Sequence, residues 1–302
     1  MRPPRLPPDG AVAQWERHGF CVLPAYLPPD DVRTGVAELG LLFPSAAEFA
    51  ADTDPARNAP LRGDEYGGLL TFPFASVELS LLAVHPLLVD LARALLRTDD
   101  VRIYSAEAWA KYTGAAGYEQ EHHRDFLSHT VVVPSDEPAH RNLELFVLLH
   151  DVGEDLGPTH VVSAAHTDQL PLLPHVATRA EHPDLYAAEV SAAGPAGTVL
   201  AYRGETVHRA TELTAPDGAR FTLHCSFRPA ADEWVGRQGW GDRSFDSSWG
   251  PFVTRASVDQ LTLFGFPPPG HSFWTPRTLA ALEVRYRGLD TTPWRAALRG
   301  NV

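Results

Sequence analysis

Residues 119–130, EQEHHRDFLSHT, place two adjacent histidines beside an aspartate, in a chain whose other histidines are mostly isolated. His123 and Asp125 are two residues apart. On an extended segment both side chains leave the same face and can reach one metal ion at ~2 Å. His122 has Arg124 at that offset and cannot form such a pair. A lone His-x-Asp pair also occurs in loops that bind no metal, so a third ligand must come from elsewhere.

A second motif, VHRATELTAPDGARFTLH at residues 207–224, supplies the missing ligand. Residues 215–218, APDG, predict a hairpin turn between His208 and a returning strand. Two histidines and one carboxylate form the facial triad of non-haem Fe(II) oxygenases, which leaves three coordination positions free. Two of these suit a bidentate 2-oxo acid and one suits O2. Arg220, twelve residues after His208 and two before the hydroxyl of Thr222, is placed to hold the far carboxylate of a dicarboxylic 2-oxo acid.

The composition limits the kind of protein that carries these motifs. The chain has 302 residues, and 25 Lys and Arg against 38 Asp and Glu give a net charge of -13. This excess of negative charge opposes binding to nucleic acid or to anionic lipid, and no apolar run is long enough to predict a membrane span. Two cysteines and an N-terminus without an apolar leader predict a cytoplasmic protein without a structural disulfide.

Hydrophobic periodicity divides the chain into three segments of one predicted domain, residues 1–302. Residues 1–100 read mainly as helices, residues 101–230 as short strands rich in β-branched and aromatic residues, and residues 231–302 as helices again. Helices on both sides of an all-β middle predict a mainly β fold with flanking helices, an eight-stranded jelly roll or double-stranded β-helix of the cupin-like kind. The aromatic, proline-rich residues 263–278 are expected to pack against the barrel, with a lid over the substrate as the alternative.

The last predicted strand, ARFTLHCSFRP at residues 219–229, shows how the barrel could hold a pocket. Successive side chains of a strand point to opposite faces. One face is apolar, and the other carries Arg220, Thr222, His224, Ser226 and Arg228. The apolar face should pack on covering helices, so the polar face should line the interior of the barrel as a binding pocket. The alternative is a sheet with one face in water.

At these motifs the sequence resembles the phytanoyl-CoA dioxygenase family of Fe(II)- and 2-oxoglutarate-dependent oxygenases. Residues 19–32, GFCVLPAYLPPDDV, resemble the opening strand and helix of the family, and residues 156–167, LGPTHVVSAAHT, its Gly-Pro turn, strand and histidine. The resemblance implies His123, Asp125 and His208 as metal ligands and Arg220 as the 2-oxoglutarate arginine. It also implies Phe146 and Glu107 as side chains of the cosubstrate pocket.

The sequence departs from the family pattern at two places. Residues 163–166 read Ser-Ala-Ala-His where Pro-Gly-Ser-His is common, which is expected to alter a loop. His122 stands where an aromatic residue is usual, which is expected to alter the pocket wall.

The resemblance implies that 2-oxoglutarate and O2 are converted to succinate and CO2 while a substrate is oxidised, usually by hydroxylation. We expect a small molecule or natural-product intermediate as substrate, and a substrate bound to a carrier protein is an open alternative. Two other readings remain open at this point. A Zn(II) or Mn(II) cupin-type hydrolase or isomerase could use the same three ligands without needing Arg220. A catalytically inactive small-molecule-binding relative could keep the fold alone.

Overall fold

The computed structural model describes residues 7–135 and 137–300. Its strands in chain order are β1 (Phe20–Leu23), β2 (Leu69–Thr71), β3 (Val101–Tyr112), β4 (His122–His123), β5 (Leu143–Leu148), β6 (His160–Val161), β7 (Val176–Ala177), β8 (Val190–Ser191), β9 (Val199–Tyr202), β10 (His208–Arg209) and β11 (Ala219–Pro229). Most of them fall within the segment predicted to be β, and β3 and β11 have the predicted bounds.

The strands form two antiparallel sheets that alternate along the chain. The larger sheet has the order β1-β9-β5-β11-β3-β2 and the smaller one β7-β4-β10-β6-β8. Eight strands, β3 to β6 and β8 to β11, form the predicted jelly roll. The chain crosses to the other sheet after each of them except between β6 and β8, which pair with each other. Strands β1, β2 and β7 extend the edges of the two sheets. Because β3 and β11 are long and pair along their whole length, they are the main strand pair of the larger sheet.

Helices precede and follow these sheets. They are α1 (Ala11–His18), α2 (Pro29–Gly35), α3 (Leu39–Leu42), α4 (Ala46–Ala50), α5 (Pro55–Asn58), α6 (Val77–Ala83), α7 (Pro86–Leu96), α8 (Phe126–His129), α9 (Ala164–Thr167), α10 (Pro183–Ala187), α11 (Trp240–Arg243), α12 (Trp249–Arg255), α13 (Val258–Thr262), α14 (Pro276–Arg285) and α15 (Thr292–Gly300), with 3-10 turns at Pro60–Arg62, Pro138–His140 and Glu154–Leu156.

One large apolar cluster joins the three segments of the sequence. It contains Trp15 and the leucines of α6 and α7, the apolar face of β11 including Leu223 and Phe227, and Trp294 near the C-terminus. The single-domain organisation stays a prediction, but this shared cluster packs the helices on the outer face of the larger sheet, as the alternation in β11 predicted. The inner face of that sheet is left for the polar side chains.

Residues 77–96 are long and apolar enough to cross a membrane by composition alone. They fold as α6 and α7, which are separated at Pro86, and 67% of the stretch is buried inside the protein. Residues 263–278 pack as expected: the indole nitrogens of Trp274 and Trp294 both donate to the carbonyl of Pro267, at 2.8 and 3.0 Å. None of residues 263–278 is among the described residues that line the inter-sheet cavity, and the lid alternative stays a prediction.

Candidate active site

The two predicted motifs meet in a cavity of about 330 Å³ between the sheets. His123 on β4 and His208 on β10 are directly paired in the smaller sheet, and their rings lie 4.5 Å apart. The carboxylate of Asp125 approaches both, with its oxygens 3.6 Å from Nε2 of His123 and 3.2 Å from Nε2 of His208. One ligand atom from each of the three residues lies within 4.8 Å of the others. This spacing fits a single metal ion with all three as ligands.

Backbone contacts orient both imidazoles toward the same point. Nδ1 of His123 lies 3.0 Å from the carbonyl of Glu121, and Nδ1 of His208 lies 3.0 Å from the carbonyl of Thr206. A carbonyl only accepts, so each Nδ1 carries the proton and each Nε2 presents a lone pair to the cavity. The hydroxyl of Tyr202 donates to Asp125 at 2.9 Å and holds that carboxylate in place. The three side chains are therefore set for metal binding before any ion arrives.

The route by which Asp125 reaches this point differs from the prediction. The expected extended segment ends at His123, and Asp125 has helical backbone angles as the N-cap of the short helix α8. The turn into α8, rather than the alternation of a strand, brings the two side chains together. The predicted APDG turn at residues 215–218 is present, but the strands on either side of it, β10 and β11, belong to different sheets. It is a crossover between sheets and not a hairpin.

Arg220 lies in the same cavity, buried on the inner face of β11. Its Nε and Nη1 are buried and make no hydrogen bond to any described residue. Burial lowers the pKa of Arg220 to about 10, so the guanidinium stays charged at neutral pH. Lys111, its neighbour across the β3–β11 pair, also lines the cavity, and burial together with Arg220 lowers the pKa of Lys111 to about 7. A buried guanidinium without a counter-ion is a binding site for a carboxylate from outside the chain.

The other predicted pocket residues also line this cavity. Thr222 contacts Nε2 of His224 through its hydroxyl at 2.9 Å, and Phe146 stacks on the His224 ring with centroids 3.5 Å apart. Burial and the nearby Arg220 keep the pKa of His224 well below its usual value, so this ring is a neutral wall. Glu107 accepts a hydrogen bond from the indole of Trp109 at 3.2 Å and lies 3.5 Å from Arg237.

His122 and His166 lie at the two places where the sequence departs from the family pattern. His122 is fully buried on the far side of the smaller sheet, where its Nε2 lies 3.0 Å from Glu189, so the expectation that it alters the pocket wall is wrong. The His122 side chain points away from the cavity because successive side chains of β4 point to opposite faces and His123 faces the cavity. His166, in the altered loop, is exposed at α9 and does not line the cavity.

A model of the phytanoyl-CoA dioxygenase family matches residues 15–221, well over half of the chain and including every residue of the triad and Arg220. The chain belongs to this family. Its cofactors are accordingly Fe(II) and 2-oxoglutarate, and the residues present fit both. The three converging ligand atoms suit the metal, and the unpaired guanidinium of Arg220 suits the dicarboxylate. No curated protein matches the chain.

Solved structures share the fold of this member of the phytanoyl-CoA dioxygenase family. The non-haem α-ketoglutarate-dependent carbocyclase SnoK from nogalamycin biosynthesis is 20% identical, with a TM-score of 0.55 over 78% of this chain and 90% of that one. The epimerase SnoN, in complex with Fe3+, α-ketoglutarate and nogalamycin RO, is 21% identical, with a TM-score of 0.53 over 73% and 82%. HygX from Streptomyces hygroscopicus, with nickel and 2-oxoglutarate bound, is 16% identical, with a TM-score of 0.53 over 75% and 89%.

Sequence reasoning missed a group of buried polar residues at the other end of the cavity. Glu144 on β5 accepts from the hydroxyls of Tyr104 and Ser226, and His129 lies 3.2 Å from it. A signal was available for Glu144, because it is the lone charge in the apolar run LELFVL and shares a strand face with Phe146. His129 had none, since its position depends on how α8 turns after the metal motif.

Proposed function

We propose that this protein is an Fe(II)- and 2-oxoglutarate-dependent hydroxylase of a small molecule. In this proposal His123, Asp125 and His208 hold the metal and Arg220 holds the far carboxylate of 2-oxoglutarate. The observation that carries the proposal is the unpaired, buried guanidinium of Arg220 in the same cavity as the three ligand atoms. A three-ligand metal site on its own suits several reactions, whereas an unpaired guanidinium in the same cavity adds an anchor for the second carboxylate of 2-oxoglutarate.

Charge supports the same pairing of metal and cosubstrate. Two neutral imidazoles and one carboxylate leave a divalent ion with one net positive charge, which favours an anionic chelator. At the other anchor Arg220 offers N–H donors to a carboxylate, and the hydroxyl of Thr222 lies two residues further on the same face. Phe146 and His224 form the flat, uncharged wall between the two anchors. Glu107 is a less suitable neighbour for a dianion, and we place it toward the oxidised substrate.

The cofactors, when bound, supply the oxygen chemistry, with succinate and CO2 as co-products. The residues of this chain bind, orient and enclose. Hydrogen bonds from Nδ1 of both histidines to backbone carbonyls fix the direction of each Nε2, and Tyr202 fixes the carboxylate of Asp125. The two sheets enclose the site and restrict water, which strengthens each of these polar contacts.

Hydroxylation is the outcome we propose among those open to such a site. Asp125 occupies the third ligand position, so no protein-free position is left there for a halide, and we expect no chlorinated product. Two structural neighbours, SnoN and SnoK, are an epimerase and a carbocyclase. Incorporation of one atom of 18O from 18O2 into the product distinguishes hydroxylation from both. A product formed without 18O would refute the hydroxylase assignment while leaving the dependence on 2-oxoglutarate intact.

The rival readings differ in what they require of Arg220. A Zn(II) or Mn(II) hydrolase or isomerase needs the triad but leaves the guanidinium without a partner. An inactive binding relative needs neither.

A cytoplasmic location belongs to the same proposal, and the two free, buried cysteines, Cys21 and Cys225, fit it. A small-molecule substrate, free or attached to a carrier protein, is part of it as well.

Anaerobic titration tests the proposal directly. Addition of 2-oxoglutarate to the Fe(II) protein should give a weak visible charge-transfer band, and substrate should then stimulate succinate release in air. His208→Ala should abolish the band because it removes a ligand whose Nε2 faces the cavity. His166→Ala is the matched control, since that histidine is exposed and outside the cavity, and it should keep the band. Absence of the band at saturating Fe(II) and 2-oxoglutarate would favour the hydrolase or binding readings.

A further inference from the structure

The cavity has a second polar end that the triad and the cosubstrate anchors do not use. Arg220 and Ser226 both line it from β11, and six residues of strand separate them by ~20 Å. Ser105 lies opposite Ser226 in the β3–β11 pair, and Glu144 accepts a hydrogen bond from Ser226. The cavity lining includes four further side chains that can donate or accept hydrogen bonds: Glu107, Ser128, His129 and Arg237. The metal ligands line the same cavity, so a molecule bound at this end lies next to the reacting centre.

His129 is held at this end with one ring nitrogen occupied and one available. Nδ1 lies 3.2 Å from Oε1 of Glu144 and 3.0 Å from the hydroxyl of Tyr104. Nε2 makes no hydrogen bond to any residue in the described ranges, yet it is not among the buried unpaired atoms, so it faces the cavity. Burial lowers the pKa of His129, but the carboxylate of Glu144 outweighs burial and the pKa is raised. With Nδ1 held by Glu144, Nε2 is the nitrogen free to hydrogen-bond a ligand, as an acceptor when the ring is neutral and as a donor when it is protonated.

Glu144 is fully used in holding His129 and does not need a ligand of its own. Tyr104 and Asn142 donate to Oε1, and Ser226 donates to Oε2. A buried carboxylate with hydrogen bonds to both oxygens is a stable support for its partner. This arrangement of acid behind imidazole fixes the direction of the free nitrogen, as in other sites where a carboxylate orients a histidine.

Each carboxylate at this end is paired with a basic side chain. Arg237 lies 3.5 Å from Glu107, and His129 lies 3.2 Å from Glu144. Neither an anionic nor a cationic substrate gains from such a balanced set. An apolar acyl chain would remove these groups from water without replacing their hydrogen bonds, which is costly. A neutral molecule with hydroxyl groups can donate and accept at the same time and matches the wall.

We propose that His129 is a substrate-binding residue that hydrogen-bonds through Nε2 to a hydroxyl group of a neutral small molecule, with Ser105, Ser128 and Arg237 completing the subsite. The inference rests on the proposed function, because the subsite has meaning only beside a metal and cosubstrate. It specifies that function further, from a small molecule in general to a polyhydroxylated one. It also accounts for the hydrogen bonds by which Tyr104 and Glu144 hold the His129 ring in place.

Binding can be measured on the Zn(II)-substituted protein with 2-oxoglutarate bound, which is diamagnetic and does not turn over. Saturation-transfer NMR would compare a panel of neutral monosaccharides and cyclitols with D-gluconate as the anionic probe and cyclohexanemethanol as the apolar one. We expect binding from the neutral polyols and at least tenfold weaker binding from the other two. His129→Ala should weaken polyol binding about tenfold, because a hydrogen bond inside the cavity is lost.

Two further variants keep the test decisive. Arg237→Gln alters the same subsite from a side chain that is one third exposed, so it should fold even if His129→Ala does not, and it should also weaken polyol binding. His166→Ala, exposed and distant from the cavity, should bind as the unmodified protein does. Equal binding of cyclohexanemethanol, binding by no neutral polyol, or unchanged binding in both subsite variants would overturn the inference. Should the Fe(II)–2-oxoglutarate band be present in that case, the proposed function survives and the substrate class alone is wrong.

Discussion

Two buried arginines on consecutive strands have opposite surroundings. Arg209 on β10 and Arg220 on β11 are each 5% exposed. Arg209 donates to both carboxylate oxygens of Glu189 at 2.8 Å and to Glu119 at 2.5 Å, whereas two nitrogens of Arg220 have no partner in the described structure. One guanidinium is balanced within the chain and the other is not. The difference is the one expected between an arginine that stabilises the fold and, on the proposed function, one that binds a carboxylate ligand.

The surroundings also explain which face each arginine occupies. Arg209 follows His208 on β10 and therefore points away from the cavity, toward a set of charges closed by Glu189, His122 and His160. Arg220 points inward, where its close charged neighbour is another cation, Lys111. Burying a cation beside a cation opposes folding, and such an arrangement persists in a protein when a ligand supplies the missing charge.

The largest effect is expected from Arg220→Ala. Loss of a charge-assisted, desolvated pair should weaken 2-oxoglutarate binding by about 2–5 kcal/mol, or about 30-fold to several-thousand-fold. Arg220→Lys should recover part of this loss, because a point charge cannot reproduce the two-pronged guanidinium. Titration of the Fe(II) band with 2-oxoglutarate measures the affinity. A 2-oxo acid without the distal carboxylate is the control ligand and should bind the unmodified and Arg220→Ala proteins almost equally.

The stability of the same variant sharpens the comparison. Arg220 has no counter-ion among the described residues, so its removal should leave the free energy of unfolding of the ligand-free protein unchanged or raise it. Chemical denaturation checks this. If Arg220→Ala lowered stability as much as a broken buried ion pair does, the arginine would be structural and the cosubstrate anchor would have to be sought elsewhere.

Arg209→Ala should show the reverse behaviour. It leaves Glu189 without its bidentate partner, and loss of one member of a buried pair costs about 3 kcal/mol, at the lower end of the usual range because Glu119 is half exposed. Chemical denaturation should report this loss, and the affinity for 2-oxoglutarate at a temperature where the variant is folded should change little. A large loss of affinity in the folded variant would show that the two arginines are not separable in function.

The smallest predicted effect is proton uptake by the protein when 2-oxoglutarate binds. Burial lowers the pKa of Lys111 to about 7, so this amine is only partly charged at neutral pH. A carboxylate bound at Arg220 would raise the pKa of Lys111, so binding should take up a fraction of a proton. Affinity for 2-oxoglutarate should then increase as the pH falls from about 9 to 7 and level off below 7, where the amine is already charged. Calorimetry in buffers of different ionisation enthalpy measures the uptake, which should vanish in Lys111→Met.

Much of the architecture could be predicted from the sequence because it depends on local periodicity. The alternation in residues 219–229 set which side chains of β11 face the cavity, and the turn residues at 215–218 marked where the chain crosses between sheets. The triad could be predicted because metal ligands need particular residue types at short spacings. Arg220 followed from the same motif and strand face.

What could not be predicted depends on contacts between distant segments. His129 lies in the cavity because α8 turns inward after Asp125, and Tyr104 and Glu144 meet it from two other strands, 25 and 15 residues away along the chain. No local pattern encodes such a meeting. The outward position of His122 was accessible from alternation, but the resemblance to the family suggested a pocket residue and outweighed it.

The long pairing of β3 with β11 has a consequence for how this enzyme can change over evolution. The eleven residues of β11 pair continuously with β3, apart from one irregularity between Ser226 and Phe227. Adding or deleting a single residue between Arg220 and that irregularity would turn the cavity-facing residues of one half of the strand into the apolar core. New substrates must therefore be acquired by replacing side chains or by remodelling loops such as residues 131–135. Within a lineage descended from this protein, we expect strand lengths to stay constant while those loops vary in length.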